Sequence, residues 1–153
     1  LTQEMMGIQN KLTSAYHQLK DAEDILDGVG KMIKAQESMP DSLKENLEKA
    51  TKTMKDTLEV MTGWFNKEPK KQGIYRDPNT LFAKTYKVYS YLDPSAQPVN
   101  SSARMMVDQY DELVRETVEK INGFFEESWP AYQEEVEEAR MTLFKPFEPV
   151  DLD

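Results

Sequence analysis

Met5–Ile33, MMGIQNKLTSAYHQLKDAEDILDGVGKMI, decides the fold. Apolar or small residues stand at Met5, Ile8, Leu12, Ala15, Leu19, Ala22, Leu26, Val29 and Ile33, in steps of three and four without a miss. That recurrence keeps one face of a helix apolar over its full length, the pattern of a helix packed lengthwise on others. At roughly 1.5 Å per residue the stretch spans about 45 Å, longer than an ordinary globular helix. The rest of the chain must supply partner helices for this seam.

The 153 residues suit one domain with a sizeable core, and 39% hydrophobic with 31% charged residues fits amphipathic helices with wet outer faces. No apolar run approaches the eighteen or so residues of a membrane span, so membrane insertion is not expected. No basic and apolar leader is present, and the opening Leu1 reads as the start of an excised fragment. The absence of cysteine excludes disulfides, thiolate metal sites and a cysteine nucleophile. Charge is unevenly placed: residues 1–100 hold 14 acidic and 14 basic side chains, whereas residues 101–153 hold 14 acidic and 5 basic. An acidic last third repels phosphate backbones, so no nucleic-acid partner is expected; a solvated outer face is the simplest reading.

The first helix is expected over Thr2–Gln36, with a weak point or bend at Gly28 and Gly30 and an end before Pro40. Ser42-Leu43-Lys44-Glu45 fits a capping box for a second helix with its seam at Leu43, Leu47, Ala50, Met54, Met61 and Trp64. Asn66–Asp77 reads as a surface connection, and Asp77-Pro78 as the opening of a third helix. That helix has a stripe at Phe82, Tyr86, Tyr89 and Leu92, and Asp93-Pro94 ends it. A polar loop through Pro98 leads to a fourth helix capped by Asn100 or Ser101, its stripe Ala103, Met106, Tyr110, Leu113, Thr117, Ile121 and Phe124. Trp129-Pro130 interrupts the pattern before a short fifth helix from about Ala131 to Arg140. The expected fold is all-α: an antiparallel four-helix bundle, up-down-up-down, with a short fifth C-terminal helix. The bundle domain covers residues 1–143, and an extended tail with Pro and Phe covers 144–153.

Catalytic and metal chemistry finds little footing. A metal centre inside a bundle needs core-facing carboxylates and Glu-x-x-His pairs, but the chain has one histidine, His17, and no carboxylate on a seam. His17, Asp21 and Asp24 share a helical face and are the candidate ligands for a divalent ion, against the simpler reading of an exposed polar face. Glu134, Glu135, Glu137 and Glu138 lack the alternating ligands and turn glycine of a calcium loop. There is no Gly-x-Ser-x-Gly elbow or Gly-rich phosphate loop, and a narrow filled core leaves no cleft for a carboxylate pair to work on a sugar. No cofactor and no enzymatic activity are expected of this segment.

The adjacent aromatic pairs Trp64-Phe65 and Phe124-Phe125 point about 100° apart on a helix, so both members are buried only under a wide cover. Either the tail folds over them, the simpler reading, or they form a docking patch. Trp64, Phe65, Phe125 and Trp129 are the candidate interaction residues. Met5, Met54, Met61 and Met106 lie on seams and read as core filling rather than an adaptable groove.

Two segments carry a family resemblance: Gln72-Gly73-Ile74-Tyr75-Arg76-Asp77-Pro78, and Gly123-Phe124-Phe125-Glu126-Glu127-Ser128-Trp129-Pro130-Ala131-Tyr132 continuing through Val136-Glu137-Glu138-Ala139 to Leu143-Phe144. Together they resemble the C-terminal helical region of large bacterial proteins of the neuraminidase-repeat or sortilin-propeller type, which carry the glycosyl hydrolase label. The resemblance implies a secreted or periplasmic parent whose β-propeller, in the same chain, would be the partner of this region. It implies no catalytic residue here, since the Ser-x-Asp-x-Gly-x-x-Trp propeller box does not occur. The function expected is that of a non-catalytic accessory domain acting in packing or protein interaction. The alternatives are a bundle binding a small molecule or divalent cation, or a free-standing scaffold that self-associates through an uncovered part of the first helix.

Overall fold

The computed structural model describes residues 1–66, 79–92 and 101–153. Its elements are α1 (Thr2–Lys34), α2 (Asp41–Phe65), α3 (Leu81–Tyr91), α4 (Ser101–Gly123), a π-helical turn (Phe124–Ser128) and α5 (Trp129–Glu138). The described residues contain no strand, and the fold is all-α. The expected surface connection from residue 67 on, Asp77-Pro78, Asp93-Pro94 and the loop through Pro98 to Asn100 lie outside the described residues.

The α1 seam is buried at Met5, Ile8, Leu12, Ala15, Leu19, Ala22, Leu26 and Ile33, with Val29 half-buried. α1 continues unbroken through Gly28 and Gly30, held on either side by the fully buried Leu26 and Ile33. It stops at Lys34 rather than Gln36, and Lys44 Nζ of α2 donates to the carbonyls of Lys34 and Gln36 at 3.4 and 3.3 Å. A cation on the neighbouring helix thus serves the carbonyls that a helix end leaves free. The capping box at Ser42 and Glu45 is not used. Pro40 is the N-cap, so Ser42 is already inside the helix, where its backbone cannot take the extended cap conformation.

The direction of each helix follows from which residues meet. Lys44 reaches Lys34, Lys55 pairs with Asp27 at 3.0 Å, and the rings of Phe65 and Tyr16 lie 5.3 Å apart, so α2 runs antiparallel to α1. Along α3, Phe82 meets Tyr16 with ring centroids 5.1 Å apart, and Tyr89 Oη donates to Gln9 Oε1 at 2.7 Å. Hence α3 is also antiparallel to α1 and continues in the direction of α2. Arg104 pairs with Glu4 at 2.6 Å, and Gln36 bonds Thr142, so the last helical run is parallel to α1. The up-down-up-down alternation expected of four helices is therefore corrected. Three rods lie side by side, and α2 followed by α3 forms the middle one. Length explains this: α1 has 33 residues, and the 25 of α2 cover its seam only down to Tyr16, leaving α3 to cover Gln9 to Tyr16. The seam of α1 is thereby covered along its length, which removes the basis for dimerisation through it.

The α3 stripe is rotated from its expected face, whereas the α4 stripe keeps Ala103, Tyr110, Thr117, Ile121 and Phe124 buried as expected. On α3 the buried residues are Leu81, Thr85 and Val88, while Tyr86 is 75% exposed and Phe82, Tyr89 and Leu92 are half-buried. Thr85 can be buried because its hydroxyl donates to Leu81 O at 2.8 Å and accepts from the Tyr110 hydroxyl. On α4, Val107 and Val114 take the core places expected for Met106 and Leu113.

The chain is not interrupted at Trp129-Pro130. Helical backbone runs from Ser101 to Glu138, widened at Phe124–Ser128 into a π-turn in which Trp129 N–H donates to Phe124 O. Proline has no N–H to donate and its ring crowds the carbonyl four residues back, so a wider turn just before Pro130 relieves the conflict without ending the helix. Arg140 then takes φ 49°, the left-handed conformation that stops helices, and residues 141–153 form neither helix nor strand. The start of this tail is tied down by Gln36, whose Nε2 donates to Thr142 O at 2.8 Å and to Met32 O at 3.0 Å.

Candidate interaction surface

Among the described residues no buried side-chain nitrogen or oxygen lacks a hydrogen-bond partner. The core is therefore apolar packing plus a few satisfied hydroxyls, and chemistry must be sought at its edges.

The four aromatic candidates separate into core and surface. Phe65 is fully buried, its ring 5.3 Å from Tyr16 and 5.8 Å from Phe82, where α2 gives way to α3. It is a core residue, which corrects its place among the contact residues: from Met61, the step of four lands on Phe65 and the step of three on Trp64. Trp64 is half-buried, with Lys120 Nζ 5.8 Å from its ring centroid, a cation–π geometry that ties α2 to α4. Phe125 and Trp129 are half-buried with rings 5.8 Å apart. Below them Phe124 and Tyr132 are buried, at 5.1 Å from Phe125 and 6.1 Å from Trp129. The π-turn thus carries an aromatic cluster with an inner layer in the core and an outer layer partly in solvent.

The tail does not cover that outer layer. Leu143, Phe144, Phe147, Val150 and Leu152 are 80–93% exposed, so none of them is packed on the bundle. Intramolecular cover, the simpler sequence reading, is overturned. Prolines 146 and 149 explain it, because they hold the backbone extended and withhold donors that a return onto the bundle would use.

The metal candidates stand on an exposed face: His17, Asp21 and Asp24 are all exposed. Among the described residues no group of three or more His, Asp or Glu side chains is placed to hold a metal ion. Glu134, Glu135, Glu137 and Glu138 are exposed as well. No helix among the described residues is long and apolar enough to cross a membrane.

Grooves open on the bundle between α1 and each of α2 and α3. One, of about 470 Å³ between α1 and α2, is lined by Lys31, Lys34, Lys52 and Lys55 with Asp27 and Glu48. Lys55 is engaged with Asp27 and Lys52 with Asp56 at 3.0 Å, and the last carbonyls of α1 favour cations there. The other, of about 640 Å³, lies between α1 and α3 and is lined by Gln9, Phe82, Thr85, Tyr86, Tyr89 and Ser90. The sequence reading missed this aromatic groove by placing Tyr86 in the core. Sequence spacing gave no signal of it, because Phe82, Tyr86 and Tyr89 stand at the steps of four and three of a buried stripe.

Tyr110 and Tyr132 are the perturbed groups of the interior. Burial pushes both phenols above their ordinary range, and the hydrogen bonds to Thr85 and Thr51 offset part of that rise. At the surface, Arg104 is held in its charged form by hydrogen bonds to Glu4, with the field of Asp108 adding to them.

Comparison with protein-family models, curated proteins and solved structures found no match.

Proposed function

We propose that this chain is a non-catalytic helical interaction module, an accessory domain that braces a neighbouring β-propeller of the same extracytoplasmic parent protein. The observation that carries the reading is the outer aromatic layer at the π-turn, where half-buried Phe125 and Trp129 stand over a buried second layer without cover from the tail. Aromatic side chains offer a large apolar area at small conformational cost, and anchored on a packed core they make effective contact points. Trp64 is the third contact residue. The sequence resemblance supplies the propeller and the compartment; the aromatic layer supplies the place to meet it.

The test is the double substitution Phe125→Ala with Trp129→Ala in the longer parent chain. Cleavage between the propeller and the helices, followed by measurement of whether the two parts stay together, reads the docking directly. The expected result is separation of the parts with helical content retained. Parts that remain together, or a coding sequence without propeller strands upstream of Leu1, would overturn the proposal.

A further inference from the structure

Residues 144–152 have a period of three: Phe144-Lys145-Pro146, Phe147-Glu148-Pro149, Val150-Asp151-Leu152. A polyproline II helix has three residues per turn, so in that conformation Phe144, Phe147 and Val150 form one apolar edge, and Lys145, Glu148 and Asp151 form a charged one. Among the described residues no backbone-to-backbone hydrogen bond extends beyond Arg140, and all three members of the apolar edge are at least 82% exposed. This is the form of a ligand for an aromatic-lined groove. The bundle has such a groove, framed by Phe82, Tyr86 and Tyr89.

The tail cannot fill the groove of its own chain. Gln36 anchors Thr142 at one end of the bundle, whereas Tyr89 sits beside Gln9 near the other. The 27 residue steps from Gln9 to Gln36 amount to about 40 Å at roughly 1.5 Å per residue. The tail from Thr142 to Leu152 extends about 31 Å at ~3.1 Å per residue, and its apolar edge ends earlier still. In two bundles lying side by side and antiparallel, however, each tail emerges beside the other's groove. Both contacts form together and the assembly closes as a two-fold dimer. Charge agrees with this pairing. Leu81–Tyr91 contains Lys84 and Lys87 and no acidic residue, and the tail carries Glu148, Asp151 and Asp153 against one cation, Lys145.

We infer that residues 143–153 of one copy dock as an extended strap in the Phe82–Tyr86–Tyr89 groove of a second copy, reciprocally, to give an antiparallel dimer. Sedimentation of the full chain across a range of concentrations tests this. Wild type is expected to dimerise, and Phe147→Ala and Tyr86→Ala are each expected to weaken association by roughly tenfold or more, as for an aromatic anchor. Both residues are exposed in the single chain, so helical content and thermal melting should be unchanged at concentrations where wild type is monomeric. Lys84→Glu with Lys87→Glu should weaken the dimer, and adding Glu148→Lys with Asp151→Lys in the same chain should restore it. A strict monomer, whose tail is then free for another domain, would overturn the inference. A dimer indifferent to either aromatic substitution, or a charge reversal that is not restored, would overturn it as well.

Discussion

Thr51 Oγ1 and Tyr132 Oη lie 2.7 Å apart in the interior and join α2 to α5 across the bundle. The proton of Thr51 is already given to Leu47 O at 2.7 Å, so Tyr132 is the donor. Thr85 and Tyr110 repeat the arrangement between α3 and α4, with Leu81 O in the place of Leu47 O. Each threonine gives its own proton to a carbonyl of its helix and offers its hydroxyl oxygen as the acceptor for a tyrosine of another, which lets the buried tyrosine keep its hydroxyl satisfied.

This polarity predicts unequal mutants. Tyr132→Phe removes a donor but leaves the Thr51 proton bonded to Leu47 O, and is expected to cost about 1 kcal/mol. Thr51→Val leaves the Tyr132 hydroxyl buried without its acceptor, and is expected to cost more, roughly 1–3 kcal/mol. The double variant should lose less than the sum of the two. Denaturant unfolding of all four proteins completes the cycle, and additive losses would show that the pair is not coupled.

The same two tyrosines set an alkaline limit. Burial raises the folded-state pKa of Tyr110 and Tyr132 above the unfolded value of about 10, so the folded form holds protons that the unfolded chain releases. Their contribution is fully present below pH 10 and is lost as the pH rises through the raised folded values. Stability measured at increasing alkaline pH should therefore fall for wild type, and less steeply when both positions are phenylalanine. Tyrosinate absorbance should show two late-titrating groups in the folded protein.

Trp64 and Phe65 should separate by stability. Phe65→Ala empties a fully buried site between Tyr16 and Phe82, and is expected to cost about 3–5 kcal/mol. Trp64→Ala removes a half-buried ring and its contact with Lys120, with an expected loss of roughly 1 kcal/mol. Thermal melts of the two variants check this ordering directly.

Arg140 ends the last helix at φ 49°, where a side chain is strained and glycine is not. Arg140→Gly relieves about 1 kcal/mol of that strain and gives part of it back through the greater freedom of glycine in the unfolded chain. A net gain of ~0.5 kcal/mol is expected in denaturant titrations. A loss would mean that the arginine side chain contributes more than its backbone costs.

How far the sequence reaches is seen by comparing α1 with α3. In α1 the apolar positions recur so regularly over 33 residues that no other face can be buried, and the seam read from spacing is the seam observed. In the 11 residues of α3, Leu81 and Phe82, or Val88 and Tyr89, are equally good candidates in isolation. The choice was made by Tyr110, which reaches across from α4 to bond Thr85 and so turns that face inward. The aromatic pairs follow the same rule: Phe65 rather than Trp64 is buried because Tyr16 and Phe82 enclose it.

The sequence by itself determined an all-α fold and the long organising helix, since these follow from local periodicity. Tertiary structure alone decided that α3 extends α2 instead of reversing it, that Pro130 widens a helix instead of ending it, and that the tail stays off the bundle. Each of these depends on which surfaces are free at a distance along the chain. The seam of α1 below Tyr16 needed a partner, and α3 met it; the tail, anchored at Thr142, keeps its apolar residues in solvent and leaves Phe125 and Trp129 half-buried.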